Sequence, residues 1–404
     1  MKVMDGGGDG EIVTTGDVAL SATAGKLTVN GGSFAAAQSA VLVGGTANLV
    51  VNNGYFYGNT ADIANAGTGT VTISAGRFKN EPDPAWLAEG CASSADALTF
   101  HERNYAYKVA ASSVVATVNG TGYATLGAAA AAAVSYAGDA ETVTLQLQED
   151  IVHNEALSLT HASKPVVLDL NGHVLSTNVE NFIYPTAGTL TITDSAETKG
   201  KLTTSSYQVL YPGGSANVTI SNCVVEGTIE NASAWNAQTL IICGGASMEC
   251  TISNAIINAT KHQTAIRINN SSCKVTITDS EVSSGTVGDS GFYAIVNNSG
   301  NLTVNNSSIY TKSSTTDGNA PSALHHSGAN AKTIINSGYF YAVQDRTVSG
   351  GYGSITINGG YFDKAPGSSK VTYAEGLALT PLDPKATHVH KTTGATLEYG
   401  YQVK

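Results

Sequence analysis

The sequence predicts an all-β fold, a right-handed parallel β-helix solenoid whose coils run about 22–32 residues. Three observations carry this. A segment of the form "LTVNGGSF" (27–34) recurs with drift as "LVVNNGYF" (49–56), "VTISAGRF" (71–78), "LTVNNSSI" (302–309), "TIINSGYF" (333–340) and "ITINGGYF" (355–362). Each copy is an alternating apolar strand, then a small polar corner, then another inward apolar residue. The copies return only after enough residues for three short strands and three turns, at roughly 3.3 Å per residue.

Numbering each repeat from its first residue, copies begin at 27, 49, 71, 168, 190, 218, 250, 275, 302, 333 and 355. Positions 1 and 3 are mostly Val, Ile or Leu and position 2 is usually Thr, the period of a strand with one buried face. Position 4 is always Asn, Ser or Thr, and positions 5 and 6 are small or turn-forming, save His173. Such residues tolerate positive φ and bond their own backbone, so they make a corner. Position 8 is apolar again, with Glu197 the exception. A strand that continues inward beyond its corner bends; a hairpin would return antiparallel at once. The start-to-start steps are 22 and 22, then 22, 28, 32, 25, 27, 31 and 22, so one turn carries insertions while the corner stays fixed. Stacked coils about 4.8 Å apart bring the position-4 side chains into an amide and hydroxyl ladder.

The pattern breaks for 97 residues between the copies at 71 and 168. The stretch 77–109 reads as a closing segment, with Pro82 and Pro84 after the last corner. The Ala-rich run near 123–137 reads as a short capping helix over an open solenoid end. The C-terminus repeats the closing signal. The predicted layout is the C-terminal part of a first β-helix module over 1–112 and a second, capped module over 113–404.

Composition narrows the function classes. No apolar run approaches the roughly 20 residues that span a bilayer. Net charge is -11 and arginine stands only at 77, 103, 267 and 346, which argues against nucleic acid. The cysteines at 91, 223, 243, 250 and 273 form no CxxC pair and read as buried free thiols. The opening "MKVMDGGGDGEI" has no apolar h-region, so the expectation is an excerpt of a longer exported protein, or a chain used without Sec export.

The segments "TGYATLGAAAAAA", "VVLDLNGHVLS", "ITINGGYF" and "YAEGLAL" resemble the right-handed parallel β-helix, pectin-lyase-like repeat surface proteins of gut bacteria. The resemblance covers nearly the whole chain. It implies the β-helix fold and an extracellular or cell-surface location, and it implies no single activity, because that superfamily includes lyases, hydrolases, adhesins and viral tailspikes.

Catalytic constellations are sparse. "TITD" (191–194, 276–279) and "IRINN" (266–270) match galacturonan-hydrolase motifs too poorly to transfer roles, and Arg267 is the only arginine expected inside the core of the second module. Asp194 and Asp279 share position 5 three repeats apart, about 14 Å by coil spacing. That exceeds the roughly 5–9.5 Å of a glycosidase pair, so both read as turn residues. Glu226, Asp289 and His262 lie in longer loops with no spacing that joins them. His388 and His390 point one way on a strand, but no third metal ligand is evident, so the close pairs His325/His326 and His388/His390 read as surface polar residues and His173 as a corner variant. No metal, cofactor or catalytic residue is assigned.

The candidate binding residues are tyrosines at the outward positions 7 and 9: Tyr55, Tyr339 and Tyr361, and Tyr57, Tyr310 and Tyr341. Tyr339 and Tyr361 share one register on adjacent coils, so their rings should lie side by side. Exposed amphipathic rings on a rigid face can stack on sugars; the bland alternative is a tyrosine ladder that supports the sheet. The expectation is a non-enzymatic cell-surface protein, an adhesin-like or structural stalk whose partner is a polysaccharide or cell-surface glycan. The alternatives are a polysaccharide lyase or glycoside hydrolase with its site in the long loops, and a phage tailspike-like protein, which requires a trimer.

Overall fold

The computed structural model describes residues 2–3, 10–88, 90–111, 113–229, 239–260, 264–285, 293–312, 321–343, 346–392 and 394–404. Among the described residues 52% are in strands and 3% in helices, arranged as parallel β-solenoid coils, about 13 turns in all. The chain divides into two compact modules, Met1–Val114 and Val115–Lys404.

In the first module, Lys26–Val29, Asn48–Val51 and Val71–Ile73 stack in parallel as one face, and Ser33–Ala36, Tyr55–Gly58 and Gly76–Phe78 as the next. A third face pairs Val18–Ala22, Ser39–Val43 and Ala61–Asn65. The second module repeats this plan with a 12-stranded first face, an 11-stranded second face and a 5-stranded third face. Inward Leu, Val and Ile at positions 1 and 3 are buried throughout, as the alternation predicts.

The corners use two chemistries. Where position 6 is glycine, as at Gly54 (φ 139°), position 8 is Phe; where position 5 is Asn222, Asn254, Asp279 or Asn306, with φ between 44° and 56°, position 8 is Val or Ile. The link is steric. A Cβ on Gly54 would lie 3.0 Å from the Phe56 ring, so a ring folded back over the corner excludes any side chain there. Those rings then stack coil on coil, Phe34 on Phe56 at 5.5 Å and Phe56 on Phe78 at 5.1 Å. At position 4 the expected ladder forms: Asn358 donates to Asn336 and Asn336 to Asn305, each at 2.7 Å, and Asn52 donates to Asn30 at 2.7 Å.

Two repeats depart from the sequence register. Val166 pairs with Leu190, so the repeat read as starting at 168 starts two residues earlier, and the steps in the second module run 24, 28, 32, 25, 27, 31 and 22. The inward position 8 read as Glu197 belongs to Leu202, which pairs with Leu175 and Val225. Both shifts come from enlarged corners built around carboxylates. Asp169 accepts from the backbone of Asn171 and Ser195, and Asp194 from Gly172 (2.7 Å), Ala196 (2.8 Å) and Gly200 (2.9 Å). The 24- and 28-residue steps come from these corners, and the 32-, 27- and 31-residue steps come mainly from the longer connections between second-face and third-face strands, as between Val224–Thr228 and Thr239–Cys243.

The capping helix is Leu126–Val134, shorter than the Ala-rich run. Thr125 caps it by accepting from Ala128 N at 3.2 Å, and Leu126, Ala129, Ala130 and Ala133 form its buried stripe. Tyr123 belongs instead to a hairpin, Ala116–Val118 with Thr121–Tyr123, turning through Asn119-Gly120, both at positive φ. Each module closes with a long hairpin added antiparallel to its last second-face strand: Cys91–Phe100 with Arg103–Ala111 on Gly76–Phe78, and Leu379–Val389 with Thr396–Val403 on Gly360–Phe362. The reversal of direction ends parallel stacking at that edge.

Candidate functional site

The second face of the second module places position 7 residues in one outward row, Val224, Ile256, Glu281, Ser308, Tyr339 and Tyr361, and position 9 residues in another, Glu226, Asn258, Ser283, Tyr310 and Tyr341. As the register predicts, Tyr339 and Tyr361 stack at 5.1 Å with planes 10° apart. The closing hairpin, irregular between Pro381 and Ala386, returns over these rows. His388 stacks on the other face of Tyr339 at 3.9 Å, and Tyr399 meets Tyr339 and Tyr341 edge-on.

The tyrosines expected on an open face are therefore largely covered. Tyr310 is 2% exposed and contacts His390 edge-on at 4.1 Å. Tyr55, Tyr57, Tyr339, Tyr341 and Tyr361 are half-buried. In the first module Tyr55 stacks on Phe100 at 4.2 Å, while Tyr105 packs edge-on against Tyr55 and Tyr57. Alternation along the strand places these rings outward correctly; the hairpins that cover them come from far along the chain.

Beneath the hairpin tip lies Glu281, 2% exposed. Its carboxylate accepts from Tyr310 Oη at 2.9 Å, Lys391 N at 2.6 Å and Thr392 N at 2.8 Å. A buried carboxylate is tolerable only with its oxygens occupied in this way. His390, expected at the surface, is wholly buried because the closing hairpin folds it against the second face; its Nε2 bonds Tyr399 Oη at 2.7 Å and its Nδ1 lies 3.9 Å from Glu281. Burial outweighs the neighbouring carboxylate and pushes His390 down to about 4, and burial likewise pushes Tyr310 and Tyr399 up. His388 and His390 do share one side of their strand, but among the described residues no cluster of three acidic, histidine or cysteine ligands could hold a metal ion.

Beside this cluster a cavity of about 190 Å³ is lined by Asp279, Glu281, Asn306, Ser308, Tyr339, His388 and Lys391 among others. Asp279 is exposed and accepts from Asn306 Nδ2 at 2.7 Å. Both faces of the Tyr339 ring are occupied, so a ligand here would meet ring edges, a carboxylate, an amide, a hydroxyl and one lysine. In the first module a second cavity of about 290 Å³ is bounded by Asp62, Asn80, Glu81, Asp83 and Trp86 among others. Asp62 is buried, accepts from Gly58 N at 2.8 Å and Asn80 N at 2.7 Å, and is pushed up to about 6 by that burial.

The remaining candidates do not converge. Glu226 accepts from Asn258 on its own face at 3.0 Å, and Asp194 and Asp279 hold corners. His173 lies 3.4 Å from Asp150, while His326, expected at the surface, is buried on an inward position of its strand and bonds Thr333. His262 and Asp289 lie outside the described residues. The cysteines are free thiols, and burial pushes Cys223 up to about 12. No helix among the described residues is long and apolar enough to cross a membrane. No protein-family model, curated protein or solved structure matches the chain.

Proposed function

We propose that this chain is a non-enzymatic β-solenoid of the surface or extracellular type that binds glycans, with the Asp279–Lys391 cavity of the second module as a contact site. The observation that carries the reading is the lining of that cavity. A carboxylate, an amide, a hydroxyl and an ammonium surround the edges of Tyr339 and His388, which is the mixture of directional polar groups and aromatic surface that a polyhydroxylated ring needs. Hydrolysis is the weaker reading. A glycosidase needs two available carboxyl groups, and of the two in this cavity Glu281 has both oxygens bound by the hairpin, leaving Asp279 alone exposed.

A glycan-array screen run beside a reducing-sugar and unsaturated-product assay on the same polysaccharides tests the proposal. The expected result is binding without product, weakened by Asp279→Ala and Lys391→Ala. Product release would overturn it.

A further inference from the structure

We propose that Tyr184 and Tyr211, on the third face of the second module, form a stacking platform for an extended, uncharged polysaccharide laid along the solenoid axis. Isolated parallel bridges join Leu157, Ile183, Leu210 and Ile241 on successive coils, continuing the third face beyond its regular strands. Ile183 and Leu210 are buried, so the next residue of each coil, Tyr184 or Tyr211, turns outward. Tyr184 is 52% exposed, and the two ring centroids are 5.2 Å apart.

The planes of the pair differ by 44°, whereas the covered pair Tyr339 and Tyr361 differs by 10°. A ladder that merely supported its sheet would show the parallel geometry of the covered pair, and would leave neither ring as exposed as Tyr184. Instead each ring leans over a glycine of the following coil. A Cβ on Gly213 would lie 3.3 Å from the Tyr184 ring, and one on Gly244 would lie 2.7 Å from the Tyr211 ring. Glycine at those points lets the rings lie low against the coil, with Tyr184 exposed to solvent and Tyr211 half-buried.

The ligand class follows from chemistry and period. The apolar C–H face of a pyranose packs on an amphipathic ring while its hydroxyls bond the phenol and the solvent. One ring per coil, at about 4.8 Å rise, approximates one sugar per ring for a chain running along the axis. The positions flanking the rings, Ser158, Pro185, Thr186, Pro212, Gly213 and Ile242, are uncharged, so nothing in them selects an acidic polymer. This inference shares only its ligand class with the proposed cavity and uses different residues.

Affinity electrophoresis of the whole chain in gels containing xylan, mixed-linkage β-glucan or galactomannan tests it, with polygalacturonate as the charged comparison. Retardation in a neutral gel is expected, weakened about tenfold by Tyr184→Ala or Tyr211→Ala and largely kept by Tyr211→Phe. Unaltered circular dichroism of the alanine variants establishes that they fold. Equal retardation of the Tyr184→Ala/Tyr211→Ala double variant, or no retardation of the parent chain in any neutral gel, would overturn the platform. Array binding that is lost in Asp279→Ala and kept in the tyrosine double variant would then leave the cavity standing while the platform falls.

Discussion

Glu281 binds the backbone of Thr392 across 111 positions of sequence, accepting its N–H at 2.8 Å. With Lys391 N and Tyr310 Oη on the same carboxylate, this contact pins the tip of the closing hairpin to the second face. Glu281→Gln keeps the shape but replaces one acceptor with a donor, facing a buried N–H. The expected cost is about 2–3 kcal/mol. Hydrogen exchange should show lost protection over 388–399 while the coil strands stay protected; unchanged exchange at 391 and 392 would remove the pin.

His390 makes the same closure acid-sensitive. Its folded value, about 4, lies below the ordinary 6.5, so burial disfavours the protonated form in the folded state. The stabilisation from keeping it neutral is fully present above pH 6.5 and is lost as pH falls through about 4, amounting to about 3 kcal/mol across that window. The groups facing it are Glu281, His388 and Lys312. NMR should place its titration near 4, and a midpoint at 6 or above would contradict the burial.

Asp62 runs the other way. Burial raises it from 3.8 to about 6, so its contribution to the first module is present below pH 3.8 and is lost as pH rises through about 6. The span is up to about 3 kcal/mol. Asp62→Asn should flatten the pH dependence of that module's melting temperature between 4 and 7, whatever its effect on the absolute value; an unchanged slope would show that Asp62 titrates normally.

The corner rule predicts a coupling. Gly54→Ala introduces a Cβ 3.0 Å from the Phe56 ring at a φ of 139°, and should cost about 2 kcal/mol or more. Phe56→Leu also destabilises, but removing the ring relieves the clash, so the double variant should cost less than the sum. Additive losses would mean that backbone strain alone demands the glycine.

Much of this fold is legible locally. Alternating Val, Ile and Leu, the polar corner and the Asn ladder all follow from residues adjacent in sequence or one coil apart. Register fails only where Asp169 and Asp194 enlarge their corners, because a carboxylate that gathers several N–H groups admits extra residues without changing the composition of the turn. The outward direction of Tyr339 and Tyr361 is equally legible; their covering is not, because His388 and Tyr399 arrive from a hairpin whose irregularity between Pro381 and Ala386 sets where it lands. Glu281 carried one signal, a lone acid in a row otherwise occupied by Val, Ile, Ser and Tyr. Tyr184 and Tyr211 carried another, the paired "YP" before glycine-rich turns.

Hydrogen exchange of the full chain, with and without a glycan drawn from the array, tests the central claim most directly. Glycan binding at the Asp279–Lys391 cavity should slow exchange at 279–281, 306–308 and 388–391, whether or not the segments around Tyr184 and Tyr211 also slow. Slowing confined to segments outside that cavity, or saccharide cleavage during the incubation, would contradict it.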